Sequence, residues 1–362
     1  MAKWLKRMIA VLVMFLFGVF LIGLGVYLSN RSLIEGAPLV DVAKAQSRQS
    51  VFSPAIKIPP AELENIRKFA DSLKTTAVIA IQNNRLIVEW GKTDKRISGH
   101  SVRKSLVSAL YGVAFQKGLI DTNSTLADLG VDDKNPPLSP QEKQARIVDL
   151  LKSKSGVYRN SVKADMEEGR PERHAHAPGT FFFYNNWSFN ALGGIFERVT
   201  ALKLGEAFKE WIAEPIGMQD FRIEDVRYTY SEESDFPAYR FWISARDLAR
   251  FGMLFLNDGA WGGKQIISRD WVSASTATYS EAGRFGYGFM WWTIGDGSYM
   301  ASGTGGQKLL VDPNRKLVVV NRVDTGEPGL RRGLWWNYGP RVRNRQFRGL
   351  TNRIADLTSS IE

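Results

Sequence analysis

Ser101 is followed three positions later by Lys104, and no other Ser-x-x-Lys occurs in the chain. If a helix starts here, positions i and i+3 share one face and the lysine amine reaches the serine hydroxyl. The positive end of the helix and nearby donors favour a neutral amine, which can take the serine proton. Ser and Lys are so common that roughly one such match is expected by chance. The motif therefore needs company, and two further segments supply it. Tyr184-Asn185-Asn186 follows Pro178-Gly179 and an aromatic run, and directly precedes a helical pattern. A Tyr-x-Asn at that place brings a phenol toward the serine and an amide toward a substrate carbonyl. Ser302-Gly303-Thr304-Gly305-Gly306-Gln307 is a glycine-rich lead into a β-strand, where backbone can approach a ligand closely and present N–H groups.

Other chemistries are excluded by composition. The chain has no cysteine, which removes thiolate nucleophiles, disulfides and thiolate-held metals. Its three histidines, His100, His174 and His176, leave little for an imidazole metal site. There is no Gly-x-Ser-x-Gly, no His-Glu-x-x-His and no phosphate-binding glycine loop. Neither a metal nor an organic cofactor is expected. His174 and His176 fall in a charged stretch and read as surface residues, while His100 adjoins Ser101 with no assigned task.

The three motifs, in this order, resemble those of the serine β-lactamase and penicillin-binding protein superfamily. The resemblance runs from about Ala61 to Val323. Ile147–Gly156 (IVDLLKSKSG) is similar to the family's leucine-leucine to serine-glycine segment, and Pro215-Ile216-Gly217-Met218 to its P-L-G-M turn. Ser244–Gly252 (SARDLARFG) is similar to a helix of the class C-like branch, which contains esterases and aminohexanoate-oligomer hydrolases. The resemblance implies an α+β, β-lactamase/transpeptidase-like fold: an antiparallel sheet flanked by helices, with an inserted, mainly helical subdomain. It also implies that Ser101 is the acylated nucleophile and that Lys104 and Tyr184 share the proton work. The backbone N–H groups of Ser101 and Gly306 would form the oxyanion hole, each donor being worth roughly 3 kcal/mol of barrier. Asn186 would orient the substrate beside Gly303, Thr304 and Gly305. The sequence departs from the family at Gly303, where a lysine or histidine usually stands and helps hold a substrate carboxylate. That change counts against β-lactams and peptidoglycan termini, with Arg103 or another arginine as the alternative source of charge.

The elements that must position these residues can be read from periodicity. Ala61–Leu73 reads as a helix, and Thr76–Gln82 with Leu86–Trp90 as a hairpin turning at Asn83-Asn84-Arg85. After Ser101 a helical stripe of Leu106, Leu110, Val113 and Ala114 ends near Gly118. The middle of the chain reads as mostly helical: 145–152, 187–200, 204–212 and 245–256, the last with Ser244 and Asp247 as a capping box. Strands return at Tyr287–Thr293, Gln307–Val311 and Lys316–Val323, and a final helix covers Gln346–Leu357. Strands at both ends with helices between predict an antiparallel sheet built from both termini. Trp291 and Trp292, close to the third motif, read first as packing residues, with the pocket wall as the alternative.

Hydrophobic residues at 44% and charged residues at 23% exclude a disordered or fibrous chain. Met8–Leu28 is 21 residues without a charge, about the length that crosses a bilayer as a helix. Lys3, Lys6 and Arg7 precede it, so the positive-inside rule places residues 1–7 in the cytoplasm, 8–28 as an uncleaved signal anchor and the rest outside. A cleaved signal peptide is the competing reading, but its apolar core usually runs only about 7–15 residues. Residues 29–60 read as a tether, and 61–362 as the hydrolase domain, which would lie on the extracytoplasmic side of the inner membrane. The net charge of +11 is partly local, with seven arginines and no acid between Arg331 and Arg353. No nucleic-acid motif accompanies it, so no nucleic-acid partner is expected.

Three functions compete. The leading expectation is a membrane-anchored serine hydrolase that cleaves a small amide or ester through an acyl-enzyme on Ser101. The second is a penicillin-binding DD-peptidase or β-lactamase, and the third a non-catalytic scaffold or sensor of the same fold.

Overall fold

The structure, a computed structural model, describes residues 59–162, 169–326 and 341–359. Pro60–Ser72 forms helix α1, with proline at its first position, where no N–H is needed. Strands β1 (Ala77–Gln82) and β2 (Arg85–Gly91) make a hairpin whose corner, Asn83-Asn84, has φ of +50° and +60°. Asparagine tolerates that left-handed backbone, which matches the strand twist in a two-residue turn. β3 (Ile97–Ser98) leads through a 3-10 turn, His100–Val102, into α2 (Arg103–Gln116). Next come α3 (Ile147–Leu151), α4 (Asn186–Thr200) and α5 (Leu204–Phe208), which passes into a π turn at Lys209–Ala213. β4 (Val226–Ser231) and β5 (Ser234–Ile243) precede α6 (Ala245–Leu256). The short pair β6 (Ala260–Trp261) and β7 (Lys264–Gln265) is followed by α7 (Arg269–Thr276). The remaining strands are β8 (Ser280–Ala282), β9 (Phe285–Tyr287), β10 (Trp292–Thr293), β11 (Tyr299–Gly303), β12 (Gln307–Asp312) and β13 (Leu317–Arg322), before α8 (Asn344–Ser359).

Eight strands form one antiparallel sheet in the order β2-β1-β13-β12-β11-β10-β9-β8. Every residue of β1, β12 and β13 is buried, so both faces of the sheet centre are covered. One face, carrying Ala77, Ile79, Ile81, Leu309 and Val318, belongs to the large core with Leu106 of α2, Phe189 of α4 and Leu248 of α6. The other, carrying Val78, Ala80, Leu310 and Val319, packs with Ile66 of α1 and Leu350 of α8. This is the α+β architecture expected, with the sheet centre built from the two ends of the domain.

The middle of the chain is mostly helical, as expected, with one addition. Strands β3, β5 and β4 form a second, three-stranded sheet. β4 does alternate, as Val226-Arg227-Tyr228-Thr229-Tyr230-Ser231, but the polar run Ser231–Asp235 and Pro237 interrupt the pattern before β5. The strand expected over Tyr287–Thr293 is broken. Met290 takes φ +61° and the chain dips inward, its N–H bonding Leu151 O at 3.0 Å and its carbonyl accepting from Ser105 Oγ at 2.8 Å. Among the described residues no helix is long and apolar enough to cross a membrane. The apolar run 8–28, the tether apart from Pro59 and Pro60, and part of the basic stretch lie outside the described residues.

Candidate active site

The backbone before Ser101 is anchored to the small sheet and then bent sharply. Ser98 pairs with Trp242, and Gly99 N donates to Phe241 O at 2.7 Å. His100 has φ +46°, an uncommon state for a residue with a β-carbon. Its ring Nε2 is 2.9 Å from Thr325 Oγ1, which holds the bend at the end of β13. The buried Arg322 of β13 donates to Ile97 O at 2.5 Å and Ile243 O at 3.1 Å, tying both flanking strands together. Ser101 thus leaves the bend at the start of a helix, as the i, i+3 argument requires.

Lys104 is buried, and its Nζ lies 3.0 Å from Ser101 Oγ and 3.0 Å from Asn186 Oδ1. The amine also sits 4.6 Å from the ring centre of Tyr184 and 4.7 Å from that of Phe189, within cation–π range. The position of Asn186 follows from a helix cap. Asn185 Oδ1 accepts from Trp187 N at 3.0 Å, so Asn185 caps α4 and Asn186 becomes its first residue, facing α2. Ser153, from the segment likened to serine-glycine, reinforces the loop: its hydroxyl donates to Phe183 O at 2.6 Å and accepts from Asn185 N at 3.2 Å.

Tyr184 keeps part of its surface on the cleft, while its ring packs on Phe189, Tyr287 and Trp292. Burial pushes its phenol up to about 12, opposed by a hydrogen bond with Ser101 and by the nearby charge of Arg103. Trp291 and Trp292 are packing residues and do not line the cleft. Trp291 is fully buried against Phe251 and Phe255, and Trp292 stacks behind Tyr184.

The third motif closes the opposite side. Gly303 ends β11 with no room for a side chain: a β-carbon there would stand 2.4 Å from Gly99 O and 3.1 Å from Ser101 N. Its lack of a cation therefore does not leave open space. Gly306 has φ +105° and is pressed against Val342, where a β-carbon would come within 2.7 Å of that residue. Its N–H makes a long 3.3 Å bond to Gly303 O within the turn, and Val342 N donates to Gly305 O at 3.2 Å. Behind the motif, Lys308 Nζ donates to Ser302 Oγ at 2.5 Å and Asn344 Oδ1 at 2.6 Å. Burial pushes this amine down to about 8.

Ser101, Lys104, Tyr184, Asn186 and Thr304 line one cleft of about 200 Å³, together with His100, Arg103, Ala238, Tyr239 and Arg240. The β5 residues of this wall had no signal in the sequence, because their strand itself was not legible. His174 and His176 lie elsewhere. His174 Nε2 is 3.0 Å from Ser139 Oγ, and His176 stacks on Phe181 at 3.9 Å. No group of His, Asp and Glu among the described residues could hold a metal ion.

The two remaining motif segments interlock beneath the site. Ser244 caps α6 by accepting from Asp247 N at 3.1 Å. The buried carboxylate of Asp247 accepts N–H bonds from Gln219, Asp220 and Phe221, just past the Pro215–Met218 turn. Arg246 pairs with Asp220.

Comparison with known proteins agrees with this arrangement. The family model described as Beta-lactamase matches residues 64–337. The chain is 28% identical over 307 residues to the 6-aminohexanoate-dimer hydrolase of Paenarthrobacter ureafaciens, covering 74% of this chain and 77% of that protein. Among solved structures, a candidate 6-aminohexanoate-dimer hydrolase from Bacillus anthracis aligns with a TM-score of 0.61 and 20% identity, over 87% of this chain and 89% of that one. The octameric penicillin-binding protein homologue from Pyrococcus abyssi aligns with a TM-score of 0.55 and 19% identity, over 78% of each chain.

Proposed function

The chain belongs to the beta-lactamase family, and on that premise we propose that it is a serine hydrolase that cleaves a small amide or ester through an acyl-enzyme on Ser101. One observation carries the reading: Lys104 Nζ stands 3.0 Å from Ser101 Oγ, inside a cleft that Tyr184 and Asn186 also line. At rest the amine donates to the hydroxyl. With a lone pair in place of one proton, the same line carries the serine proton to Lys104 as Oγ attacks the substrate carbonyl. The oxyanion forms beside the N–H of Ser101; Gly306, the expected second donor, keeps its N–H on Gly303 O at 3.3 Å and is not among the residues that line the cleft. Collapse returns the proton, through Lys104 or Tyr184, to the departing amine or alcohol. Water then adds to the ester of Ser101, gives its proton to the same pair, and releases the acid with Oγ reprotonated.

Similarity to the 6-aminohexanoate-dimer hydrolase favours a short linear amide as substrate. The β-lactam reading is supported by the penicillin-binding neighbours but opposed by Gly303, which the backbone fills. Labelling the full chain with a fluorescent fluorophosphonate, beside a fluorescent penicillin, tests both. The acyl-transfer reading requires modification at Ser101 and fails if another residue is modified or none is.

The 21-residue apolar run behind Lys3, Lys6 and Arg7 supports a further part of the proposal. The chain is held in the inner membrane by residues 8–28, with the catalytic domain on the extracytoplasmic side. A C-terminal alkaline phosphatase fusion should be active and sediment with membranes. A soluble mature protein that begins after Leu28 would show a cleaved signal instead.

A further inference from the structure

One charged group in the cleft has no counterpart in the three motifs. Arg103, between the nucleophile and Lys104, is only 7% exposed. Its Nη2 donates to Asn190 Oδ1 at 2.9 Å, and its guanidinium lies 4.2 Å from the centre of the Tyr239 ring. Its Nη1 is buried with no hydrogen-bond partner, and no carboxylate pairs with the side chain among the described residues. A buried cation with an unpaired donor is costly to hold, and groups of this kind are often found where their field is used.

That field reaches the other groups of the cleft. Lys104 on the same helix, Tyr184 and Tyr239 line the cleft with Arg103, and His100 and Arg240 complete its rim. Tyr287 of β9 packs edge-on against Tyr184, and Glu197 of α4 acts on Tyr239 while paired with Lys203. The charge of Arg103 pulls the phenols of Tyr184, Tyr239 and Tyr287 down against burial. A fixed cation beside a titrating pair disfavours the added proton on that pair, whichever member carries it.

We propose that Arg103 is a positioning residue of electrostatic kind, held by Asn190 and Tyr239, which keeps the Lys104–Tyr184 pair ready to accept the Ser101 proton. Arg103 acts through the pair and does not touch the substrate. This inference rests on the acyl-transfer reading of Ser101.

The test is the pH dependence of fluorophosphonate labelling on the full chain, with folding checked by thermal melting. Arg103→Gln removes the charge. Asn190→Asp leaves Arg103 in place and sets a carboxylate against it. In both, the acid limb of the labelling rate should move to higher pH by about one unit or more. Arg103→Lys should keep the wild-type profile. A folded Arg103→Gln or Asn190→Asp protein with an unmoved limb overturns the proposal, because a purely structural role would lower stability and leave the profile in place. If wild-type protein is labelled at Ser101 and the limb is unmoved, only the role of Arg103 falls. If Ser101 is not labelled at all, the acyl-transfer reading falls and takes this inference with it.

Discussion

Gly303 and Gly99 meet backbone to backbone, and Ser101 N lies beside the contact: a β-carbon on Gly303 would be 2.4 Å from Gly99 O. The end of β11 therefore acts as a wall for the bend that carries the nucleophile. Gly303→Ala should displace that bend, lower stability by about 1–3 kcal/mol as overpacking does, and slow Ser101 labelling about 100-fold. Gly303→Lys should not create a carboxylate site, since its first carbon already collides. A Gly303→Lys protein that melts and labels like wild type would refute the contact.

Ser101→Ala should abolish covalent labelling with little change in melting temperature, because a small substitution facing a cleft usually costs little. Lys104→Ala and Tyr184→Phe should each slow labelling by orders of magnitude. The double variant should be scarcely worse than the poorer single one, because groups that act as a unit are not additive. Additive losses would separate Lys104 from Tyr184.

Lys308 makes a prediction about stability and pH. Its amine titrates near 8 in the fold against 10.5 when free. Between those values the unfolded chain holds the proton and the folded chain does not, so this residue makes stability rise with pH. Below that window both states are protonated, and the fold carries the whole cost, about 3 kcal/mol. Lys308→Met should therefore gain most over wild type near neutral pH, and the gap should narrow by about pH 10. Melting temperatures of both proteins across this range provide the check; a constant gap would mean that Lys308 is not desolvated.

Substrate choice follows from the cleft's walls. With no cation at Gly303, a carboxylate loses a contact worth roughly 1.5–3 kcal/mol. The ratio of kcat/KM for a short-chain p-nitrophenyl ester to that for a chromogenic cephalosporin should exceed unity by at least about tenfold. A tenfold preference for the cephalosporin would point to Arg240, at the cleft rim, as the missing charge.

The parts of this site that are local in sequence could be read from it. Ser101 and Lys104 are one helical turn apart, and α6 runs over Ala245–Leu256, the residues its capping serine and apolar period indicate. Asn186 was legible because Tyr184-Asn185-Asn186 directly precedes a helical pattern. What escaped depends on distant pairing. Arg103 meets Asn190 across 87 residues, and nothing in either neighbourhood marks the contact. β5 was missed because Asp235 and Pro237 stand on the row of Tyr239, Phe241 and Ile243 where apolar residues would have shown the period of two. Gly303 was read as a missing side chain, but only the fold shows that the space for one is already taken.

The pairing of β1 with β13 has a consequence for how the chain comes to life. Thr75 Oγ1 bonds Asn321 and Arg322 O, closing a loop of about 246 residues, and β13 lies inside the sheet rather than at its edge. A ribosome making this chain releases the first strand long before its central neighbour exists. Until then one whole side of β1 has no partner, and the Arg322 ties that steady the bend before Ser101 are missing. Contacts this distant in sequence slow folding and favour late, concerted closure. An unfinished chain should therefore be inert as well as unfolded, and the catalytic serine should be set in place only when nearly the last strand arrives.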